Sequence, residues 1–212
     1  RIPNWFQLLK RYKSSINSVL EIGCAEGSFL GYCRQNGIPI TVGVEVDPQT
    51  CEFAKQHYNL EYVCSGLYPQ VELPFEKFVI IAAFDVLEHF SNPLSALKSM
   101  KNNLNEDGIC IFQTPCYNNE GGNWIHFKPQ EHLYLFNEEN IRLLLDRCGF
   151  DVITIERGAL LEDMAIVARK KMDVDSLTPQ TIPQGAVNPL HQLVKKTIGI
   201  GLIEHFGDIV AC

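Results

Sequence analysis

Phe78–Leu87 reads FVIIAAFDVL, and Asp85 is its one charged residue. A stretch this apolar has no face to offer to water. As a strand it must be covered on both sides, which is how strands of parallel sheets read. It is also far shorter than the ~20 residues a membrane-crossing helix needs. The rest of the chain therefore has to supply flanking strands and two layers of helix.

Such elements can be read on either side of it. SVLEIG (Ser18–Gly23), ITVGVEV (Ile40–Val46), LEYVC (Leu60–Cys64) and DGICIFQTP (Asp107–Pro115) have strand character. A turn is expected at Asp107-Gly108, just before the fifth strand. Trp5, Leu8, Leu9 and Tyr12 fall at helical spacing, predicting a helix that lies over the domain. EGSFLGYCRQNG reads as a helix closed by Gly37. Asp47-Pro48 and Asn92-Pro93 each join a favoured N-cap to a proline suited to the first helical position. Asn137 caps NEENIRLLLDRCGF, with Phe136 and Ile141 placed as a hydrophobic staple. FDVITIE and MAIVARK close the pattern as an antiparallel hairpin. Alternation of this kind predicts an α/β fold, an open and mostly parallel sheet with helices on both faces.

The length of 212 residues suits one domain, and an apolar share of 46% suffices for one core. That domain is expected over residues 1–171. Residues 172–189 carry Pro179, Pro183 and Pro189 among Thr, Gln and Ser, and read as a linker. The stretch to Cys212 reads as a tail that docks on the domain or on a second copy, as in a homodimer. The first residues carry no signal-peptide pattern, and the chain opens on Arg1 rather than Met. Lys and Arg number 18 against 25 Asp and Glu, a net charge of −7, with the cations scattered. That argues against nucleic acid as a partner. None of the eight cysteines forms a Cys-x-x-Cys pair, which argues against a zinc knuckle or redox motif. Their use suits a reducing, cytoplasmic setting.

Ligands of open α/β sheets bind beyond the carboxyl ends of the strands. At the first strand end, EIGCAEG, Gly23 permits a tight turn, while Ala25 and Gly27 keep the loop thin. A dinucleotide fingerprint starting at Gly23 would need glycines where Ala25 and Ser28 stand. Glu21 and Glu26 would also repel a diphosphate, so the loop suits a ligand with a positive centre. At the second, GVEVDP, Glu45 is placed to bind two ribose hydroxyls. Asp47 competes for that role but also reads as a helix N-cap. The third, FDVLEHFSNP, brings together Asp85, Glu88 and His89.

VLEIGCAEGSFL, GVEVDP, DVLEHFSNP and EHLYLFNEENIRLLLDRCGF, in this order, resemble successive motifs of class I S-adenosylmethionine-dependent methyltransferases. The nearest flavour is the small-molecule group that includes the ubiquinone-biosynthesis O-methyltransferases. The resemblance spans residues 16–170. It implies a Rossmann-like, seven-stranded sheet of order 3-2-1-4-5-7-6 with strand seven antiparallel. It further implies S-adenosylmethionine as cofactor, with S-adenosylhomocysteine as product. Glu21 and the loop Gly23, Cys24, Ala25, Glu26 and Gly27 would hold the methionine part. Glu45 would take the ribose hydroxyls, Val46 would lie under the adenine, and Ser65 and Gly66 near its amine. Phe84 and Asp85 would border the reacting methyl. The sequence departs from the family pattern at Ala25, at Cys64-Ser65 and at Val79, which leaves the adenine contacts least defined.

Methyl transfer from a sulfonium is an in-line displacement, so positioning supplies much of the rate. A hydroxyl acceptor on a small molecule also needs a base. His132, His89 and His126 are the candidates, and Tyr117, Trp124, Phe127 and Tyr134 of the long loop after strand five offer walls for an acceptor pocket. Asp85, Glu88 and His89 resemble a pattern that related ubiquinone-pathway enzymes use with a divalent ion. Asp85 and Glu88, three apart, would share a helical face, but no metal is assigned. A short-chain NAD dehydrogenase is excluded, because no tyrosine has lysine four residues later. The alternative is a non-catalytic S-adenosylmethionine-binding or scaffolding domain of a larger assembly.

Overall fold

In the computed structural model, the described residues are 1–117, 126–158 and 162–171. Seven strands form one sheet: β1 (Ser18–Ile22), β2 (Ile40–Glu45), β3 (Tyr62–Ser65), β4 (Phe78–Phe84), β5 (Leu104–Pro115), β6 (Phe150–Arg157) and β7 (Asp163–Lys170). Their spatial order is β3-β2-β1-β4-β5-β7-β6. β7 runs antiparallel to both β5 and β6, and the other pairs are parallel. The expected fold class and strand order are both observed. The apolar run is β4, buried at every position, at the centre between β1 and β5.

Alternation along the strands divides the core into two layers. Val19, Ile80, Ala82, Ile109 and Ile111 face α1 (Ile2–Tyr12), α2 (Ser28–Gln35) and α3 (Pro48–Tyr58). Leu20, Ile22, Ile81, Ala83 and Phe112 face α4 (Pro93–Asn103) and α5 (Glu138–Arg147). The same period of two sends Gln113 to the α1 side and its neighbour Thr114 to the α4 side. Both are buried polar residues at the carboxyl end of β5.

The helix starts follow the expected capping chemistry. Asp47 accepts from Thr50 N at 2.7 Å, and Asn92 accepts from Ser95 N at 3.0 Å. Asn137 and Asn140 form a reciprocal capping box, while Phe136 and Ile141 are both buried in one cluster. Two boundaries differ from expectation. α2 starts at Ser28 because Gly27 before it is left-handed at φ 80°. β5 starts at Leu104 and runs through Asp107-Gly108, where a turn was expected. A register shift between Phe78 and Ile80 absorbs the extra residues. A Cβ at Gly108 would meet Val79 O at 2.9 Å, so this glycine serves a close backbone approach.

The described cysteines are free thiols, and all but Cys64 are buried. Among the described residues no helix is long and apolar enough to cross a membrane. Trp124 and the expected linker and tail, 172–212, lie outside the described residues.

Replacing Asn137 with Ala removes an N-cap, which costs about 1 kcal/mol. The melting temperature should fall by roughly 2–4 °C, and differential scanning calorimetry would register it.

Candidate active site

The chain leaving β1 is held against β2. Gly23 N and Cys24 N both donate to Val44 O, at 2.8 and 3.0 Å. Three residues in five are left-handed: Gly23 (φ 70°), Ala25 (φ 45°) and Gly27 (φ 80°). A Cβ on Gly23 would run into Val86, and one on Gly27 would lie 2.8 Å from Leu60 Cδ1. The loop therefore packs tightly against its neighbours. Ala25 holds a conformation that costs a non-glycine residue about 1 kcal/mol or more. Its N–H donates to Glu45 Oε2 at 3.0 Å.

Glu45 ends β2, and its other oxygen accepts from Val46 N at 2.7 Å and Asp47 N at 3.2 Å. Register pairs Glu45 with Ser65, and Gly66 N donates to Glu45 O at 2.9 Å. Glu45, Val46, Ser65 and Gly66 thus lie together at the adjoining carboxyl ends of β2 and β3, with Val46 57% exposed.

Near the carboxyl end of β1, Glu21 is 5% exposed and its Oε2 has no hydrogen-bond partner. Burial, and secondarily the charge of Glu45, pushes its carboxyl well above the usual range. Glu21 lines a cavity of about 640 Å³ with Gly23, Cys24, Ala25, Glu26, Phe84 and Asp85. A buried carboxylate with an unfilled acceptor oxygen suits a cationic donor group.

Sequence reasoning missed the roof of this cavity. Trp5 of α1 stacks on Phe84 with centroids 3.8 Å apart, and its Nε1 donates to Gln113 Oε1 at 2.7 Å. Gln113 Nε2 donates to both oxygens of Asp85 at 3.2 Å. Arg1 also pairs with Asp85 at 3.5 Å. The signal for Gln113 and Thr114 was present as two polar residues ending an apolar strand. Trp5 reads from sequence only as a packing residue.

The acidic-x-x-Glu-His segment is split, which corrects the expected shared helical face. Asp85 sits outside any helix at φ 55°, and only Leu87–His89 form a short 3-10 turn. Asp85 is held on the α1 side by Gln113. Glu88 is 2% exposed and accepts from Thr114 Oγ1 at 2.9 Å on the opposite side. Glu88 Oε1 has no partner, and burial raises its carboxyl above the usual value.

Glu88, His89 and His132 each offer one ligand atom within 4.8 Å of the others. The two imidazole rings meet edge to face at 4.9 Å. His89 Nδ1 lies 2.8 Å from Glu131 O, and His132 Nδ1 lies 2.8 Å from His126 O. A carbonyl oxygen only accepts, so both Nδ1 atoms carry hydrogen and each neutral ring keeps its lone pair on Nε2. His126 is elsewhere, with Nε2 3.8 Å from Glu162. It lines a second cavity, about 760 Å³, between α1 and the ends of β5, β6 and β7. The three candidate bases therefore divide two and one.

A glycine loop after β1, an acidic residue ending β2 and this strand order together define a class I S-adenosylmethionine-dependent methyltransferase domain. The chain belongs to the methyltransferase-domain family, whose model matches residues 2–155. It is 29% identical over 105 residues to a ubiquinone biosynthesis O-methyltransferase of Actinobacillus pleuropneumoniae, covering 45% of this chain and 44% of that protein. It is 26% identical over 165 residues to a tRNA U34 carboxymethyltransferase of Aeromonas salmonicida, covering 73% of this chain and 49% of that one. The chain thus spans less than half the length of these curated relatives. A solved S-adenosylmethionine-dependent methyltransferase from Clostridium acetobutylicum superposes with TM-score 0.64 at 11% identity, over 81% of this chain and 91% of that one.

Folding favours the protonated form of Glu21, because its carboxyl is raised in the folded state. This contribution is complete below the ordinary glutamate range and is lost as pH rises through the folded value. Glu21→Gln should therefore melt higher than the parent at neutral pH, by roughly 2–4 °C for each kcal/mol gained. The difference should close as pH falls to the ordinary glutamate range, and a pH series of melting curves reads it directly.

Proposed function

We propose that this domain transfers the methyl group of S-adenosylmethionine to a hydroxyl oxygen of a small molecule, by in-line displacement. The observation that carries the reading is the orphaned, buried oxygen of Glu21 in one cavity with the loop Gly23–Gly27, Phe84 and Asp85. Glu21 and that loop, including Cys24 and Ala25, hold the methionine ammonium and carboxylate. Glu45 takes the ribose hydroxyls, Val46 underlies the adenine, and Ser65 and Gly66 lie at its amine. Phe84 and Asp85 border the methyl.

His132 and His89 are the acceptor-side pair, with basic Nε2 atoms on adjoining rings. A divalent ion also fits this place, because Glu88 Oε1 lacks a partner and both Nε2 lone pairs are available. Such an ion would lower the pKa of a bound acceptor hydroxyl. His126, in the second cavity, contributes to acceptor binding rather than to the base.

Similarity to a tRNA-modifying protein raises nucleic acid as a second acceptor class. The net charge of −7 and the pairing of Arg1, Arg11 and Arg157 with carboxylates favour a small molecule. The cysteine pattern agrees with a cytoplasmic setting, and the sequence of the tail 172–212 suits docking on the domain or on a second copy.

Thermal shift with S-adenosylmethionine, S-adenosylhomocysteine and NAD is the direct test. A ligand at about 100 times its Kd adds roughly 2.7 kcal/mol of stability. Both sulfur ligands should shift the melt, NAD should not, and Glu45→Ala should abolish the shift. A folded sample that no sulfur ligand shifts would sink the reading. With radiolabelled methyl donor, hydroxylated small molecules should accept label and tRNA should not. His132→Gln should then lower turnover by about 10²–10⁴-fold with cofactor affinity unchanged.

Mg²⁺, Mn²⁺ or Zn²⁺ should raise the melting temperature of the parent but not of Glu88→Gln. If none of the three does so, the histidines act without a metal.

A further inference from the structure

Gln113 is 5% exposed and lies between two groups of opposite hydrogen-bonding character. The indole N–H of Trp5 can only donate, and an ionised Asp85 can only accept. An amide of this length meets both, through Oε1 to Trp5 at 2.7 Å and Nε2 to each Asp85 oxygen at 3.2 Å. The reverse orientation would set N–H against N–H and oxygen against carboxylate, so the partners fix the amide.

The consequence reaches the cavity. Trp5 is stacked on Phe84 with planes 5° apart, and Phe29 meets both rings edge-on at 6.2 and 5.0 Å. Trp5, Phe84 and Asp85 line the same 640 Å³ space as Glu21. An aromatic ring and a carboxylate both attract a cation. Arg1 at 3.5 Å offsets part of the Asp85 charge, but its side chain is 64% exposed and screened by water. The sulfonium of S-adenosylmethionine is a cation, and the thioether of S-adenosylhomocysteine is neutral. That difference in charge sits at the atom the methyl leaves.

We propose that Gln113 is a positioning residue: by holding the Trp5 ring and the Asp85 carboxylate together, it raises the affinity of the site for the sulfonium donor relative to the thioether product. The proposal rests on the cofactor reading above. It makes α1 part of the cofactor site, since the bridge crosses 108 residues of chain from Trp5 to Gln113. Gln113 acts through its two partners and needs no contact with the cofactor itself.

The experiment is isothermal titration of the whole chain with S-adenosylmethionine and with S-adenosylhomocysteine, in the parent, Gln113→Met, Trp5→Phe and the double variant. Methionine keeps length and volume but loses both hydrogen bonds. Phenylalanine at position 5 keeps an aromatic ring but loses the donor. In Gln113→Met the ratio of donor to product affinity should fall roughly 3- to 30-fold, the range of a cation-aromatic contact. Trp5→Phe should lower the ratio by less, and the double variant should be no worse than Gln113→Met, as expected for members of one unit. Equal weakening of both ligands, or an unchanged ratio, overturns the proposal and leaves Gln113 as packing. Fully additive effects overturn it as well. If Gln113→Met does not fold, as its ligand-free melt would show, the ratio in Trp5→Phe alone decides. A parent that binds neither ligand overturns the cofactor reading and this proposal together. A parent that binds both, with variants that keep its ratio, overturns this proposal alone.

Discussion

β4 has no face that water can reach, and the architecture follows from covering it. Phe78–Phe84 are buried throughout, so the strand needs neighbours on both edges and helices on both faces. β1 and β5 occupy the edges. From there the chain builds outward in opposite directions, through β2 and β3 on one side and β7 and β6 on the other. The crossovers part at the carboxyl ends of β1 and β4, and a cleft opens where they do. Glu21, the glycine loop, Phe84 and Asp85 all lie at that parting. The site is a product of topology before any side chain is considered.

At the carboxyl ends of β1 and β4, local rules that hold across most of the domain are broken. Buried polar groups are normally hydrogen-bonded, yet Glu21 and Glu88 each keep one buried oxygen without a partner. Ala25 and Asp85 adopt left-handed backbone that non-glycine residues seldom use. Each departure costs stability, and the surrounding core over-determines it. The N-caps of α3, α4 and α5 show no such conflict, and the other non-glycine residue at positive φ among the described residues, Asn59, is the C-cap of α3, where asparagine is well tolerated. Strained backbone and unpaired polar atoms gather at these two strand ends.

The strands, the helices and the capped starts of α3, α4 and α5 were legible in the sequence, because they rest on periodicity and on contacts a few residues long, whereas the strand order followed only from the resemblance to the methyltransferase family. The positions of Glu21, Gly23–Gly27 and Glu45 were legible for the same reason, since they sit where strands end. Gly108 was misread, because a glycine beside aspartate looks the same whether it turns a chain or lets two backbones approach. The Asp85 and Glu88 pair was misread too. Spacing suggested one face of a helix, but left-handed backbone at Asp85 and a turn of three residues send the carboxylates to opposite sides of the sheet.

The sequence by itself determined which segments are strands and helices, how the helices begin, and which strand ends carry carboxylates or glycines. Those properties are local, set by alternation of apolar residues and by side chains that bond to nearby backbone. Only the tertiary structure decided that Trp5 roofs the cavity, that Gln113 joins it to Asp85, and that His132 meets His89 and Glu88 while His126 does not. These contacts depend on strand parity and on docking between segments far apart in the chain. A one-residue change in register would send Gln113 and Thr114 to each other's side of the sheet, and no short window of sequence carries that information.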